Sequence, residues 1–232
     1  MKIEDFLREN QDLLNKLTEF MLEYNSHTNL TRITEPDEIV EKHYIDSVLP
    51  LTLYNVPRGT FPASQGTIVL DVGSGAGFPG VLWKLFRPDL SVTLLDSARK
   101  RTDYLSLLLR HIGVDCGVVT GRSEDLAHES VYRERYDVVT ARAVANLASL
   151  CEYCLPLVKV GGVFLAMKGE LSVAERNQGF IVAHKLGGQL QDVKKYRLPK
   201  GDVRNLVIIR KTSQTPTNYP RSRVNITKNP IA

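Results

Sequence analysis

The chain has 232 residues, 43% hydrophobic and 24% charged, which suits a globular protein with a core of its own and excludes disordered or fibrous classes. Its N-terminus, MKIEDFLREN, carries acids and no apolar run, so a secretory leader is not expected, and no apolar stretch is long enough to span a bilayer. The net charge of +4 is uneven: residues 194–232 hold ten basic residues against one acid, Asp202, a net of +9, whereas the first 193 residues carry −5. A basic end on an acidic body points either to a polyanionic partner or to a solvated tail. The three cysteines, Cys116, Cys151 and Cys154, make no disulfide framework and fit a reducing, cytoplasmic setting.

Along the chain, Ile3, Phe6, Leu7, Leu13, Leu14, Leu17, Phe20, Met21 and Tyr24 predict helical structure over residues 3–24. A second helix is expected from Pro36 to Leu53, with Pro36 suited to its first turn. On it His43 and Asp46 share a face, a spacing that serves a functional pair or simple packing. Residues 55–67, NVPRGTFPASQGT, read as a linker. The expected division is a helical N-terminal extension (1–58), a main domain (59–212) and a basic C-terminal tail (213–232).

From Thr67 short apolar strands alternate with helices. TIVLDV, SVTLLD, residues 114–119, YDVVTA and GVFLAMKG read as five strands. Between them FPGVLWKLF, residues 97–111 and AVANLASLCEYCLPLV read as helices. This pattern predicts an α/β fold, a mostly parallel sheet with helices on both faces. GGQLQDVKKYRLP and RNLVIIRK add a C-terminal antiparallel hairpin at the sheet edge. Cys151 and Cys154 form a CxxC, but inside an apolar helix and without a second pair, so no metal site is expected.

The stretch VLDVGSGAGFPG, residues 69–80, contains both G-x-G-x-G and G-x-G-x-x-G. A strand running into a glycine-rich turn and a helix builds a ligand crevice at the carboxyl ends of the strands. Asp96, at the end of the second strand, is placed to accept hydrogen bonds from ribose hydroxyls. These features fit S-adenosylmethionine and dinucleotides alike. Two others favour S-adenosylmethionine. Asp71 suits a ligand with an ammonium and a sulfonium, and Phe78-Pro79 crowds the turn where a pyrophosphate would need bare N–H groups. Asp71, Gly73, Gly75, Gly77 and Asp96 are therefore the expected rim of the crevice. Ser123 and Glu124, after the third strand, are expected at an adenine edge, and Arg142, after the fourth, at the crevice mouth.

NLT (29–31), KHYIDS (42–47), DVGSGAGFPG (71–80), LLDSARKR (94–101), GRSED (121–125), ARA (141–143), MKG (167–169) and YPR (219–221) occur in that order. Together they closely resemble the RsmG (GidB) family of bacterial small-subunit ribosomal RNA guanine-N7 methyltransferases, over nearly the whole chain. The resemblance implies a Rossmann-like methyltransferase fold. It also implies S-adenosylmethionine bound at Gly73, Phe78, Ser123, Glu124 and Arg142, with S-adenosylhomocysteine as product. After YPR the chain departs from the family pattern: SRVNITKNP keeps Arg223, Lys228 and Pro230 but lacks a Gly and an inner Pro.

Guanine N7 carries an in-plane lone pair and no proton, so its methylation needs positioning rather than a general base. Arg142 and Lys168 are candidates to hold the guanine or a nearby phosphate. Lys100, Arg101, Arg197, Arg221 and Arg223 are candidates for RNA contact. The expected partner is small-subunit ribosomal RNA or a ribosomal particle, approached by a monomer away from membranes. A small-molecule methyltransferase would not need the basic end, and a pure RNA-binding module would not need the cofactor crevice.

Overall fold

The computed structural model describes residues 2–56, 66–142, 145–229 and 231. The first apolar run becomes β1 (Ile68–Val72), buried along nearly its whole length. It pairs in parallel with β2 (Ser91–Asp96) and β4 (Tyr136–Arg142). On one side β2 pairs with β3 (Gly117–Thr120); on the other, β4 pairs in parallel with β5 (Val158–Lys168). A hairpin of β6 (Gly188–Arg197) and β7 (Val203–Lys211) completes the sheet, with β7 antiparallel to both β5 and β6. The resulting order is β3-β2-β1-β4-β5-β7-β6. Chain direction across the sheet reverses between β1 and β4, and such a switch point opens a crevice at the strands' carboxyl ends.

The helices depart from the sequence expectation in informative ways. The stripe over residues 3–24 is two helices, α1 (Ile3–Glu9) and α2 (Gln11–Thr28), separated by Asn10, whose side-chain amide donates to Phe6 O at 2.9 Å. The stretch from Pro36 to Leu53 begins as α3 (Pro36–Glu38) and widens to i→i+5 turns over Ile39–Ile45. It finishes as α4 (Asp46–Leu53). Such wide turns recur at functional sites, and this one carries Lys42 and His43. The segment read as a linker lies mostly outside the described residues.

Helices α5 (Gly80–Phe86), α6 (Arg99–Ile112), α7 (Ser123–Leu126) and α8 (Leu147–Cys154) follow the strands. Three helices lie outside the sequence expectation: the short α7, α9 (Val173–Lys185) and α10 (Arg223–Lys228). The apolar pattern of α9 is weak, since Val173 and Ile181 face solvent. A cap signal was nonetheless present: Ser172 Oγ accepts from Glu175 N–H at 3.1 Å, in an S-x-x-E sequence.

Each face of the sheet has its own core. One joins Trp83, Tyr104 and Leu105 to Phe6, Leu17, Met21 and Ile39 of the N-terminal helices. The other joins Leu70, Phe164 and Val207 to Leu150, Cys151 and Cys154 of α8, and to Tyr219, Ile226 and Ile231 near the C-terminus. The N-terminal helices are therefore anchored against the sheet, and Trp83 Nε1 donates to Ser47 O at 2.7 Å across that contact.

Candidate active site

The glycine turn after β1 is held by its neighbour strand: Gly73 N–H and Ser74 N–H both donate to Leu95 O, at 2.7 and 3.0 Å. Gly73 sits at φ 75°, a conformation side chains with a branched Cβ resist. Gly75 N–H donates to Asp96 Oδ2 at 3.0 Å, and Ala98 N–H to Asp96 Oδ1 at 2.9 Å. Arg101 Nη1 also donates to Oδ2, at 3.4 Å, so Asp96 is fixed at the end of β2 with a lone pair to spare on Oδ1, because each carboxylate oxygen accepts twice.

Above this turn lies a cleft of about 370 Å³, lined by Gly73, Asp96, Arg101, Ser123, Glu124 and Arg142 among others. It gathers most of the residues expected at a cofactor, brought from the ends of four different strands. Gly75, Gly77 and Phe78 do not line it; they shape the turn and its underside. Tyr153, Arg223 and Thr227 do line it. The first and last had no signal in the sequence, because α8 read as a purely packing helix and α10 was not foreseen.

Asp71 also stands apart from the cleft wall. Its side chain is fully buried, Oδ2 accepts from Gly80 N–H at 2.9 Å, and Oδ1 has no partner among the described residues. Gly80 is needed here, since a Cβ would stand 2.3 Å from Leu94 Cδ2 and 2.9 Å from Asp71 Oδ2. Burial pushes the Asp71 carboxyl up to about 6, against the opposing pull of the Gly80 N–H. Folded protein therefore keeps this proton to higher pH than the unfolded chain does. The associated stability is fully present below pH ~4 and is lost as pH rises through about 6, a loss of about 3 kcal/mol for two units. Asp71→Asn is expected to remove this loss. Urea unfolding from pH ~4 to ~7 checks it: the wild type should lose stability relative to the variant across that window.

Arg142, at the end of β4, is the most heavily bonded cation near the turn. Its Nη1 donates to Lys42 O at 3.0 Å and Ser47 Oγ at 3.2 Å, and lies 3.6 Å from Asp46 Oδ2. Its Nη2 lies 3.4 Å from His43 Nδ1, and its guanidinium carbon 5.6 Å from the centre of the Phe78 ring. The His43 ring stacks on Phe78 at 4.6 Å with 12° between planes. Burial, helped by Arg142, lowers His43 to about 3, so the imidazole is neutral at physiological pH. With Arg142 donating to Nδ1, the proton sits on Nε2, which faces Thr31 Oγ1 at 3.1 Å. Asp46 is shared further: it accepts from Tyr196 OH at 3.1 Å and Arg204 Nε at 3.3 Å.

On its other side Arg142 borders a second cavity of about 350 Å³, lined by Lys42, His43, Asp46, Met167, Lys168 and Arg204. Lys168 Nζ is anchored there by Ala145 O at 2.8 Å and Glu175 Oε1 at 2.9 Å. One guanidinium thus forms a wall common to both cavities. His43 and Asp46, left open from the sequence, both belong to this second chamber. Arg204 was missed as a site residue; it reaches the chamber because β7 pairs with β5, with Asn205 opposite Lys168.

The cations expected to meet RNA have different fates. Lys100 and Arg101 are exposed at the start of α6, with Arg101 3.4 Å from Asp96. Arg197 is exposed and donates to Gly201 O at 3.2 Å. Arg221 is committed elsewhere: its backbone N–H, Nε and Nη2 all bond the buried Glu152 carboxylate, at 2.9, 2.8 and 2.8 Å. A charge count cannot see such a partner, 69 residues away in the chain.

A family model described as rRNA small subunit methyltransferase G (GidB) matches residues 10–207. A ribosomal RNA small subunit methyltransferase G from Lactobacillus delbrueckii subsp. bulgaricus is 44% identical over 213 residues, covering 91% of this chain and 87% of that protein. One of the same name from Symbiobacterium thermophilum is 45% identical over 216 residues, covering 90% and 85%. Among solved structures, a variant of the 16S rRNA (adenine(1408)-N(1))-methyltransferase from Catenulisporales acidiphilia superposes with a TM-score of 0.56 at 16% identity. It covers 65% of this chain and 88% of that one, a likeness of fold.

Proposed function

This chain belongs to the GidB family of rRNA small subunit methyltransferases, and we propose that it transfers a methyl group from S-adenosylmethionine to N7 of a guanine in small-subunit (16S) ribosomal RNA. The observation that carries this reading is the junction at Arg142, where a cleft of cofactor size meets a chamber rich in cations.

The cleft fits the cofactor by the chemistry of its donors and acceptors. Asp96 Oδ1 would accept from a ribose hydroxyl, Glu124 and Ser123 would meet the purine edge, and Gly73 would let the ligand approach the backbone. Asp71 acts from beneath, by fixing Gly80 and the turn. When bound, S-adenosylmethionine supplies a methyl group on a sulfonium, open to in-line displacement by the N7 lone pair. The buried Phe78 ring backs both Arg142 and His43, stacking on the imidazole and lying under the guanidinium. Arg142 and Lys168 hold the guanine and its phosphates by charge and hydrogen bonds, and Arg204 adds to that field.

Among the described residues, no side chain in the second chamber is poised as a base. His43 is neutral but its Nδ1 faces a donor, and Asp46 is engaged by Arg142, Arg204 and Tyr196. That suits N7, which has no proton to lose. Such a base must be reached outside a stacked duplex, so a single-stranded or loop guanine is expected.

Incubation with methyl-labelled cofactor and naked rRNA, small subunits or assembled ribosomes, followed by mapping of the label, tests the reading. Label on guanine N7 is the expected outcome; label on a ribose oxygen or an exocyclic amine would overturn it. Lys100, Arg101 and Arg197 supply phosphate contacts along the RNA. The double variant Lys100→Ala, Arg197→Ala is expected to weaken RNA binding and flatten its salt dependence by roughly one unit per lost contact. An unchanged slope would remove both residues from the interface. A cytoplasmic monomer completes the proposal; no helix among the described residues is long and apolar enough to cross a membrane.

A further inference from the structure

The segment after β7 does not hang free as a basic tail. Lys211 is fully buried, with Nζ donating to Glu134 Oε1 at 2.9 Å, Leu155 O at 2.8 Å and Thr215 Oγ1 at 2.6 Å. The Arg133 guanidinium then gathers the next turn, donating to Thr215 O at 2.8 Å and Tyr219 O at 2.9 Å. His128 Nε2 bonds Pro220 O at 2.8 Å, and Arg221 grips Glu152 of α8 while Nη1 donates to Asn229 O at 2.9 Å. Tyr219, Ile226 and Ile231 are buried against the α8 side of the core. This is a strap fastened at successive points on the loop after α7 and at the C-terminal end of α8.

At the cleft the strap presents α10, and from it Arg223 and Thr227 line the wall together with Tyr153, Ser123 and Glu124. The Arg223 guanidinium has no hydrogen-bond or ion-pair partner among the described residues, in contrast to Arg221, Arg133 and Lys211. Two ion pairs, Lys211–Glu134 and Arg221–Glu152, together with the Arg133 guanidinium on backbone carbonyls, therefore hold in place a segment whose Arg223 faces the cleft unengaged. A guanidinium stacks well on a flat aromatic face. On the cofactor reading, Ser123 and Glu124 mark the end of the cleft that would take the purine.

We propose that Arg223 is a cofactor-binding residue that caps the adenine of S-adenosylmethionine, and that the Arg221–Glu152 pair is the fastening that seats it. The inference rests on the cofactor reading above. It reassigns Arg223 from the RNA contact expected of a basic tail to the cofactor wall.

Calorimetric titration of wild type, Arg223→Ala, Arg223→Lys and Glu152→Gln tests it, with S-adenosylhomocysteine and 5′-methylthioadenosine as ligands. The second ligand keeps adenine and ribose but lacks the amino-acid end. Failure of the wild type to bind S-adenosylhomocysteine would sink the cofactor reading itself, before Arg223 is in question. Given that binding, Arg223→Ala should weaken both ligands by the same factor, about five- to tenfold, the size of a cation–π contact. Arg223→Lys should restore only part of it, because the ammonium lacks the plane. The melting temperature of Arg223→Ala should stay at the wild-type value, since its side chain bonds nothing in the fold. Glu152→Gln should weaken both ligands in the same direction. Unchanged affinity in Arg223→Ala, or a loss confined to S-adenosylhomocysteine, would overturn the capping role. A lowered RNA salt slope with cofactor affinity intact would return Arg223 to the RNA interface. Unchanged affinity in Glu152→Gln would overturn the fastening.

Discussion

Arg142→Ala is expected to lower the single-turnover rate of methyl transfer by about a hundred- to a thousandfold, the cost typical of losing one preorganised donor at a reacting centre. The guanidinium borders both chambers, so its loss loosens the placement of the two reactants relative to each other. It also frees Lys42 O and Ser47 Oγ and removes the charge that pairs with Asp46. Lys at this position should recover little, because one ammonium cannot reach Lys42 O, Ser47 Oγ and the Phe78 face together. The melting temperature separates the two effects. Arg204 and Tyr196 still satisfy Asp46, so the fold should survive while the rate does not.

The pH profile of the wild-type rate belongs to the same expectation. With RNA and cofactor saturating, the rate should be nearly flat from pH ~6.5 to ~8.5, because no group in the chamber must lose a proton for N7 to react. His43 has given up its proton far below this window, at about 3, and the Arg142 guanidinium keeps its charge throughout. A rate rising tenfold per pH unit through neutrality would show that a base does act.

Gly73→Val is expected to raise the dissociation constant for S-adenosylhomocysteine by more than about a hundredfold. Gly73 stands on the cleft wall at φ 75°. A β-branched residue resists that conformation, at a cost of roughly 1–3 kcal/mol, and its methyl groups project where the ligand must approach. The turn has little room to rotate away, since Gly73 N–H and Ser74 N–H are both held by Leu95 O. Calorimetry checks the loss directly. A constant within about threefold of wild type would mean that the ligand does not pass over this turn, and would move the cofactor site elsewhere.

Elements governed by local residue chemistry were legible in the sequence. The run from β1 through the glycine turn into α5 needed only an apolar strand, residues tolerant of positive φ and a helical stripe, all contiguous. Asp96 followed from its place at the end of β2, because a strand's carboxyl end fixes where its last side chain stands. The parallel sheet followed from short apolar runs separated by helices, and the closing hairpin from two long strand patterns joined by a turn.

What joins distant residues was decided only by the tertiary structure. Lys42, Asp46, Arg142 and Arg204 meet because the wide turns of Ile39–Ile45, α4, β4 and β7 converge at one edge of the crevice, and no spacing along the chain encodes that meeting. Asp71 has the residue type and position of a ligand-facing acid, yet its side chain turns inward to Gly80; alternation along a strand buried on both faces gives no sign of which face holds the ligand. Arg221 and Arg223 are two positions apart and equally basic. One is seized by Glu152 and the other faces the cleft, because partners in α8, and not charge in the segment itself, determine what each cation is free to do.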